Sequence, residues 1–421
     1  MLDKNNIFVT QNKNNIRFGL VAQVLANAAS AIILLMGLFY LEPKTYVDIQ
    51  LILAYLAFSG FMHLGLVDGI ELRISGTSID RNSYGGIIFL ILTLSSMPAI
   101  LYIAFSNDVD KIILLALIVF PLVNLNALFI VQLKSYGYSW IASKGLMVEK
   151  ISTILFIILA LEFNVSYVSY FVFFFSFPLF FYVWSLFKLG ISFNMDFDFY
   201  KVVNDLKRGV YMMLSNTAYS LLTIGSIILA KKLFSDSQVS MYAISITMLN
   251  FFIGFAAQIS NVIYPLMANK FHITGFVKFD THSMLLGYVV PLLVIFSILS
   301  TYVFEYFFGA YFKLDGMLQF CYLILPLVYF EIKNHIVHIP QIKIHLKYKL
   351  YLLVNLLTVA GFLITLFFTS FYILAGMSSF VYLLAFFVVL RFLMLSYEFK
   401  TLKSIDFFYI VFYIFYMWTL V

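Results

Sequence analysis

The feature that most constrains this chain is a series of apolar stretches, each long enough to cross a lipid bilayer. About 20 helical residues, rising about 1.5 Å each, match a hydrocarbon layer about 30 Å thick. Backbone groups inside hydrocarbon must find their partners within the segment, so each stretch is predicted to be an α-helix. Twelve spans are predicted, at residues 17–40, 48–66, 85–105, 112–133, 146–162, 165–187, 210–230, 239–266, 283–304, 317–339, 349–371 and 377–397.

The predicted fold class is therefore all-α, a polytopic membrane protein with about twelve transmembrane helices. A thirteenth apolar stretch, at 405–421, could span the membrane or lie in its interface. Within the twelve, the fifth span is the weakest prediction, because Lys144, Glu149 and Lys150 crowd its start. The polar first 17 residues and the long apolar run after them predict an uncleaved first span rather than a signal peptide.

The composition excludes the other structural classes. Apolar residues make up 63% of the 421 residues and charged residues only 11%, against about 25% charged in a typical soluble domain. These values exclude a soluble globular protein and a disordered chain. The single cysteine, Cys321, cannot form a disulfide within the chain, which excludes a disulfide scaffold.

The distribution of lysine and arginine predicts the orientation. With the N-terminus in the cytoplasm, 21 of the 26 basic residues fall on the cytoplasmic side, including Arg391 at the end of the twelfth span. The other 5, including Lys231, fall on the outer side. Basic residues favour the cytoplasmic side of membrane proteins, so topology explains the net charge of +6 and no nucleic-acid partner is expected.

The chain divides into two halves of six spans. The predicted domains are an N-terminal six-helix bundle at 1–187, a cytoplasmic linker at 188–209, a C-terminal six-helix bundle at 210–397 and an apolar segment at 398–421. An even number of spans gives both halves the same orientation, as in a parallel repeat. Leu25-Ala26-Asn27 in the first span resembles Leu214-Ser215-Asn216 in the seventh, which predicts equivalent places for the two asparagines.

Amide side chains inside the predicted spans are the first candidates for a site. Hydrocarbon penalises polar groups, so they usually face a protein interior or a watery cavity. Gln23 and Asn27 share one face of the first span, and Asn216 lies in the seventh. These amides could line a cavity, or they could hydrogen-bond between helices and only pack the bundle.

A second group of candidates follows the second span, in the sequence HLGLVDGIELRISG. Gly65 and Gly69 would let two backbones approach closely. The charged residues of this predicted loop are Asp68, Glu71 and Arg73. Arg73 could pair with an acidic neighbour or bind a phosphate group through two nitrogens, or the three charges could form a solvated loop that sets topology.

A third candidate is the pair Lys231 and Lys232, at the outer end of the seventh span. Two lysines on the outer side are unusual, because basic residues favour the cytoplasmic side. Their side chains could extend to the membrane surface, or they could form a rim that attracts anions to a cavity.

The sequence contains no phosphate-binding glycine loop, no paired cysteines with metal-ligand spacing and no nucleophile elbow. The chain is therefore not predicted to be an enzyme, and no cofactor is expected. Glu331, His335 and His338 share one face of the tenth span, at helical spacing. They could bind zinc, line a substrate cavity or meet water at the cytoplasmic end of the span.

This architecture resembles the multidrug/oligosaccharidyl-lipid/polysaccharide exporter superfamily, and within it the O-antigen and capsule repeat-unit flippases. LGLVDGIELRISG is similar to the glycine- and aspartate-rich end of their second span, and KSYGYSWIASKG is similar to the short basic loop after their fourth span. The resemblance implies two six-helix bundles around a central cavity that opens to one side of the membrane at a time.

The resemblance also implies a function: moving undecaprenyl-diphosphate-linked oligosaccharides from the cytoplasmic to the outer leaflet of a bacterial inner membrane. The expected partners are this substrate, the bilayer and other polysaccharide-assembly membrane proteins. Cations for the diphosphate would come from Arg17, Arg73, Lys207 and Arg208. Amide contacts to the sugars would come from Gln23, Asn27 and Asn216. The predicted substrate-binding set also includes Asp68, Glu71 and Lys231.

Two other functions remain as alternatives. A multidrug exporter of the same superfamily would need an ion-binding carboxylate in its cavity, and the first span contains no Asp or Glu. A membrane glycan polymerase, which is an enzyme, would share the composition and the number of spans. Such polymerases usually need a large outer loop carrying arginines, whereas all outer loops predicted for this chain are short.

Overall fold

A computed structural model describes residues 43–74, 85–106, 108–135, 138–163, 167–190, 198–274, 323–372, 377–402 and 404–419, together with Val21, Ala22, Leu25, Ala26 and Ala29. Every regular element in these residues is helical, so the prediction of an all-α fold is confirmed. The first and ninth predicted spans, at 17–40 and 283–304, lie wholly or almost wholly outside the described residues.

The described helices form a series in which most elements coincide with a predicted span. In chain order they are α1 (Pro43–Leu56), α2 (Leu66–Ile74), α3 (Gly85–Phe105), α4 (Lys111–Ser135), α5 (Ser139–Phe163), α6 (Tyr167–Lys188), α7 (Phe199–Leu222), α8 (Ser226–Leu233), α9 (Asp236–Thr274), α10 (Val328–Lys333), α11 (Ile339–Ile344), α12 (Tyr348–Tyr372), α13 (Met377–Glu398) and α14 (Ser404–Thr419). Short 3₁₀ turns occupy Ser59–His63 and Leu325–Leu327, and one π-helical turn occupies Asn334–His338.

Six helical segments of the described residues are long and apolar enough to cross a membrane. They are Lys44–His63, Gly85–Phe105, Lys111–Leu133, Phe199–Leu233, Tyr348–Phe368 and Met377–Glu398. Each overlaps a predicted span, which supports a multi-pass membrane protein. The fifth span, predicted at 146–162, is a helix of 25 residues that already begins at Ser139.

The two longest predicted cytoplasmic connections, at 67–84 and 188–209, are partly helical. Helix α2 continues to Ile74, and α7 begins at Phe199 rather than at residue 210. Outside hydrocarbon the chain needs no apolar composition to remain helical, because charged residues such as Arg73 and Lys207 are good helix formers. Hydropathy marks where a helix leaves the lipid but not where the helix ends.

The described residues divide into two compact units. One takes in Leu51–Leu214 and Asn261–Ala268, and the other takes in Pro43–Gln50, Ser215–Ser260 and the described residues from Asn269 onward. The core of the first unit is formed by apolar side chains from α2, α3, α4, α5, α6 and the start of α7. In the second unit α12 packs along α13, and α13 also packs against α10 and the π-helical turn. The domain boundaries predicted from the sequence stay a prediction.

Helix α14, which is the thirteenth apolar stretch, packs along the tenth span. Tyr409 donates a hydrogen bond to the carbonyl oxygen of Pro326 (3.1 Å), and Tyr413 donates one to that of Leu323 (2.7 Å). Residue numbers rise along α14 while its partners' numbers fall, so the two segments run antiparallel. The outer face of α14 is apolar, with exposed side chains at Phe407, Phe408, Val411, Phe412, Ile414 and Phe415.

Candidate functional site

The predicted substrate-binding residues fall into three groups by position. Arg17, Gln23 and Asn27 lie outside the described residues, so their predicted roles stay predictions. A second group lies in the first compact unit, on α2 and at the start of α7. It consists of Asp68, Glu71, Arg73, Lys207 and Arg208. Asn216 and Lys231 belong to the second unit.

Arg73 pairs with a carboxylate that the sequence did not mark. Its Nε donates to both carboxylate oxygens of Asp205 on α7, at 2.9 and 3.1 Å. Asp205 is fully buried, whereas the Arg73 side chain is 20% exposed. Asp68 and Glu71 are half-buried and also make polar contacts. Arg73 therefore has an acidic partner, but this partner lies 132 residues further along the chain instead of in the same loop.

Three glycines make the contact between α2 and α7 possible. A Cβ atom placed on Gly69 would collide with the backbone of Asp205, and one placed on Gly209 would collide with the carbonyl oxygen of Gly65. Gly65 has φ of +82° and follows Leu64, which has φ of +52°. This left-handed turn lets the chain pass from the 3₁₀ turn into α2. The expectation that Gly65 and Gly69 allow a close backbone approach is confirmed.

The start of α7 presents two different faces. Val202, Asp205 and Gly209 are buried against the rest of the first unit. Lys207 and Arg208 are exposed, and so is the Tyr200 ring, at 77%. The backbone N–H of Lys201 donates to the Asp198 carboxylate (3.1 Å), which caps the helix. This capped helix carries the two basic residues that the sequence assigned to substrate loading.

The two remaining predicted residues have protein partners in the second unit. Asn216 is half-buried and makes at least one polar contact. Lys231, at the end of α8, forms an ion pair with Asp236 at the start of α9. Both side chains of that pair are at least one-third exposed, so the pair contributes little to stability.

Among the described residues of the second unit, an extensive buried polar network surrounds Arg391 on α13. Its Nη1 donates to both carboxylate oxygens of Glu331, at 3.2 and 3.1 Å. Its Nε donates to Asn355 Oδ1 (2.7 Å), and its Nη2 donates to the Tyr351 hydroxyl (3.2 Å). The Tyr219 hydroxyl donates to Glu331 (2.8 Å), and the Tyr219 ring lies 4.1 Å from the guanidinium carbon. Arg391 and Glu331 are both completely buried.

A second buried ion pair joins α14 to α10. Lys333 Nζ contacts Asp406 at 2.5 Å and also donates to the carbonyl oxygen of Thr401 (3.3 Å). The Tyr329 hydroxyl donates to the same carboxylate (2.7 Å). Asp406 is completely buried, so the pair fixes the beginning of α14 inside the protein.

Two of the three residues considered for a zinc site bind other side chains, and the ring of the third, His335, packs against the Tyr219 ring (5.9 Å between ring centroids). Glu331 binds Arg391, and His338 contacts Asn334 through Nδ1 (2.7 Å) and Thr401 through Nε2 (2.8 Å). Among the described residues, no group of three or more potential ligands is placed to hold a metal ion. Glu331 and His338 are completely buried, so neither meets water, whereas His335 is half-buried.

One histidine near this region lies outside the membrane-spanning segments. His345 follows α11, in the turn before α12. Partial burial, and then the nearby Lys347 ammonium, lower the pKa of His345 below its ordinary value. Lys347 itself pairs with Glu398 at the end of α13 (2.7 Å).

The sequence analysis named Glu331 and His338 as candidates but did not predict the ion pairs of these networks. It counted Arg391 as a cytoplasmic charge, but the structure buries the side chain within α13. A charged residue inside a span usually has an opposite charge in another span. Applied to Arg391, this rule includes Glu331 of the tenth predicted span among a few acidic residues that lie within spans. No comparable signal was available for Asp205, which lies in a segment read as a solvated linker.

Comparison with known proteins identifies the fold but not the family. No protein-family model and no curated protein sequence matches the chain. The crystal structure of the eukaryotic MATE transporter AtDTX14 matches with a TM-score of 0.64 at 10% identity, covering 98% of this chain and 100% of that one. An inward-facing multidrug resistance MATE family transporter of the MOP superfamily matches with a TM-score of 0.60 at 16% identity, covering 90% and 95%.

A third structure that matches the chain is described by the polarity of its binding pocket. It is a MOP superfamily transporter from Pyrococcus furiosus whose pocket has reverse polarity, which suggests a different function for that protein. Its TM-score is 0.51 at 12% identity, with coverage of 93% of this chain and 97% of that one. The chain thus has the all-α, multi-pass membrane fold of these transporters.

Proposed function

We propose that this chain is a transporter that moves undecaprenyl-diphosphate-linked oligosaccharides from the cytoplasmic to the outer leaflet. The fold supports transport, because the proteins that share it are transporters. The resemblance of its sequence to the repeat-unit flippases supports the substrate class. The observation that carries the choice between substrates is the distribution of charge in the described residues.

The buried negative charge is already neutralised by the protein. The fully buried carboxylates of the described residues are Asp205, Glu331 and Asp406. Each of them contacts a basic side chain, Arg73, Arg391 or Lys333 respectively. An exporter of amphipathic cations needs a carboxylate that can bind the cation. These three carboxylates are instead bound to basic side chains of the protein. The distribution favours a substrate that brings negative charge, as a diphosphate does.

The exposed face of α7 suits such a substrate. Residues at spacing i, i+4, i+7 and i+11 share one face of a helix. Along α7 they are Tyr200, Asn204, Lys207 and Tyr211, with Arg208 beside them. Ammonium and guanidinium groups bind phosphate oxygens, an amide can hydrogen-bond a sugar hydroxyl, and tyrosine rings can pack on sugar faces. The face therefore offers the groups that a sugar diphosphate requires.

Multidrug export is the second candidate, and the names of the proteins that share the fold favour it. The occupied carboxylates count against it. A glycan polymerase is a weaker alternative, since the proteins that share the fold are transporters. Both alternatives predict different phenotypes from the flippase, so one genetic experiment separates all three.

The experiment compares a strain that lacks the gene with strains that carry variants of it. The first variant is the double substitution Lys207→Gln and Arg208→Gln on α7. The matched control is Lys44→Gln with Lys111→Gln, which removes two exposed lysines that are not candidate site residues. For each strain we would measure surface polysaccharide, lipid-linked repeat units on the cytoplasmic leaflet and the amount of protein in the membrane.

We expect complete repeat units to accumulate inside the deletion strain while surface glycan is lost. The α7 variant should restore several-fold less glycan than the wild type at equal protein level, and the control should restore it fully. Single unpolymerised repeat units at the surface would instead indicate a polymerase. Unchanged glycan together with increased sensitivity to cationic drugs would indicate multidrug export.

A further inference from the structure

The guanidinium of Arg391 lies where segments from four parts of the second unit meet. Glu331 comes from α10, Tyr351 and Asn355 come from α12, and Tyr219 comes from α7. The amide of Asn355 also donates to the backbone oxygen of Ser215 (3.0 Å), which ties α12 to α7. The network thus holds several helices of this unit together around one positive charge.

All hydrogen-bond partners of the guanidinium are oxygen atoms. They are the two carboxylate oxygens of Glu331, Oδ1 of Asn355 and the hydroxyl of Tyr351. The hydroxyl of Tyr219 donates a hydrogen bond to the carboxylate of Glu331. Carboxylate, amide and hydroxyl oxygens are also the ligands that hard inorganic cations prefer. If the arginine side chain were removed, an oxygen-lined site with one negative charge would be left.

A buried negative charge of this kind is strongly destabilising without a positive partner. The effective cost of moving an isolated ion from water to a protein interior is several kcal/mol, which is a large part of the stability of a protein. Arginine is charged at every physiological pH, and its planar group is held here by three other side chains besides Glu331. The positive charge at Glu331 is therefore permanent and is attached to the chain by a covalent bond.

We infer that Arg391 is a built-in cation which fills an oxygen-lined cation site around Glu331, so that this site exchanges no inorganic cation in the native protein. When the guanidinium is removed, the site takes a monovalent cation such as Na⁺ in its place. The second unit contains a similar arrangement, in which the Lys333 ammonium forms an ion pair with the carboxylate of Asp406. The inference does not depend on the identity of the substrate. It means that any ion dependence of transport arises elsewhere than at Glu331.

The test uses the purified full-length chain in detergent or lipid nanodiscs. Thermal unfolding midpoints would be measured in sodium chloride and in choline chloride at equal ionic strength, at mildly alkaline pH, where protons compete least for a carboxylate. The proteins are the wild type, Arg391→Ala, Glu331→Gln and the double variant Glu331→Gln with Arg391→Ala. The double variant is the matched control, because it removes the guanidinium without leaving a buried negative charge.

We expect the wild type to unfold at the same temperature in both salts. Arg391→Ala should unfold at a lower temperature in choline chloride and should regain a few degrees in a saturable manner as sodium is added. The double variant should show no sodium response. If Arg391 served only to hold the helices together, sodium would not restore any of the lost stability.

Two outcomes would overturn the inference. One is a saturable sodium response of the wild type that disappears in Glu331→Gln, since the native site would then exchange cations. The other is a folded Arg391→Ala protein with identical midpoints in both salts. If Arg391→Ala does not fold, Arg391→Gln replaces it in the same comparison.

Discussion

At the scale of single residues, the contact between α2 and α7 depends on the absence of side chains. Gly209 touches the backbone at Gly65 and Gly69, and Gly69 touches the backbone of Asp205. Glycines at helix interfaces allow such approach because they carry no Cβ atom. The same approach brings Asp205 within reach of Arg73.

We predict that Gly209→Ala destabilises the protein, whereas Gly254→Ala does not. Both glycines lie inside helices, and alanine is the better helix former by about 0.5–1 kcal/mol. At Gly254 the added methyl group meets open space, but at Gly209 it collides with the backbone of Gly65. The expected loss at Gly209 is about 1–3 kcal/mol, as for other overpacked sites.

The measurement is the thermal unfolding midpoint of each purified variant. Gly254→Ala should unfold at the temperature of the wild type or slightly above it. Equal midpoints for Gly209→Ala and Gly254→Ala would show that the two helix backbones are not in contact.

At the scale of elements, α14 is joined to the second unit by an ion pair at its first turn and by tyrosine hydroxyls further along. Lys333, Tyr329 and Asp406 form the polar end, and Tyr413 contacts the segment before the 3₁₀ turn of the tenth span. A helix that lies in the membrane interface has one polar face, but the outward face of α14 is apolar. Its direction antiparallel to a predicted span and its composition both favour a helix that enters the hydrocarbon.

We predict that Lys333→Met destabilises the protein more than the double variant Lys333→Met with Asp406→Leu. The single substitution leaves a buried carboxylate without its partner, which typically costs about 3–5 kcal/mol. The double substitution removes both charges from the interior and should recover most of that loss. Midpoints of thermal unfolding for the two single variants and the double variant form the complete cycle.

Additive effects of the two substitutions would contradict the pairing. In the double variant the Tyr329 hydroxyl would lose its acceptor, Asp406. This unpaired hydroxyl should keep the double variant less stable than the wild type. Adding Tyr329→Phe to the double variant should therefore restore further stability.

At the scale of the whole molecule, the order of spans and the charge distribution predict a topology. With the N-terminus in the cytoplasm, the twelfth span ends on the cytoplasmic side near Glu398. Helix α14 has 16 residues and is about 24 Å long at 1.5 Å per residue, which nearly matches the hydrocarbon thickness. If it crosses the membrane, the chain has thirteen spans and its end lies outside.

We predict that cysteines at the two ends of α14 are labelled from opposite sides of the membrane. In a variant with Cys321→Ala, Ser404→Cys should react with a membrane-impermeant maleimide only in inside-out vesicles. Thr419→Cys should react only in intact spheroplasts. Labelling of both cysteines from the cytoplasmic side would show that α14 lies in the interface instead.

Much of the fold could be predicted because apolar length is a property of a single segment. Spans such as 85–105 and 377–397 coincide with α3 and α13 within a residue or two, since hydrocarbon thickness alone determines how many apolar residues each needs. Helical extensions beyond the lipid, such as the start of α7, were missed because hydropathy does not report them. The close approach at Gly65 and Gly69 could also be predicted, because only glycine permits it.

The sequence by itself determined the class of this protein, its helices and the places where backbones can touch. The tertiary structure decided which charged groups meet. Arg391 and Glu331 are 60 residues apart, and Arg73 and Asp205 are 132 residues apart. A carboxylate in a sequence looks the same whether it is solvated, free to bind a ligand or already paired. Only the packing of distant helices determines its partner, because charge pairing depends on distances of a few ångströms between side chains from different elements.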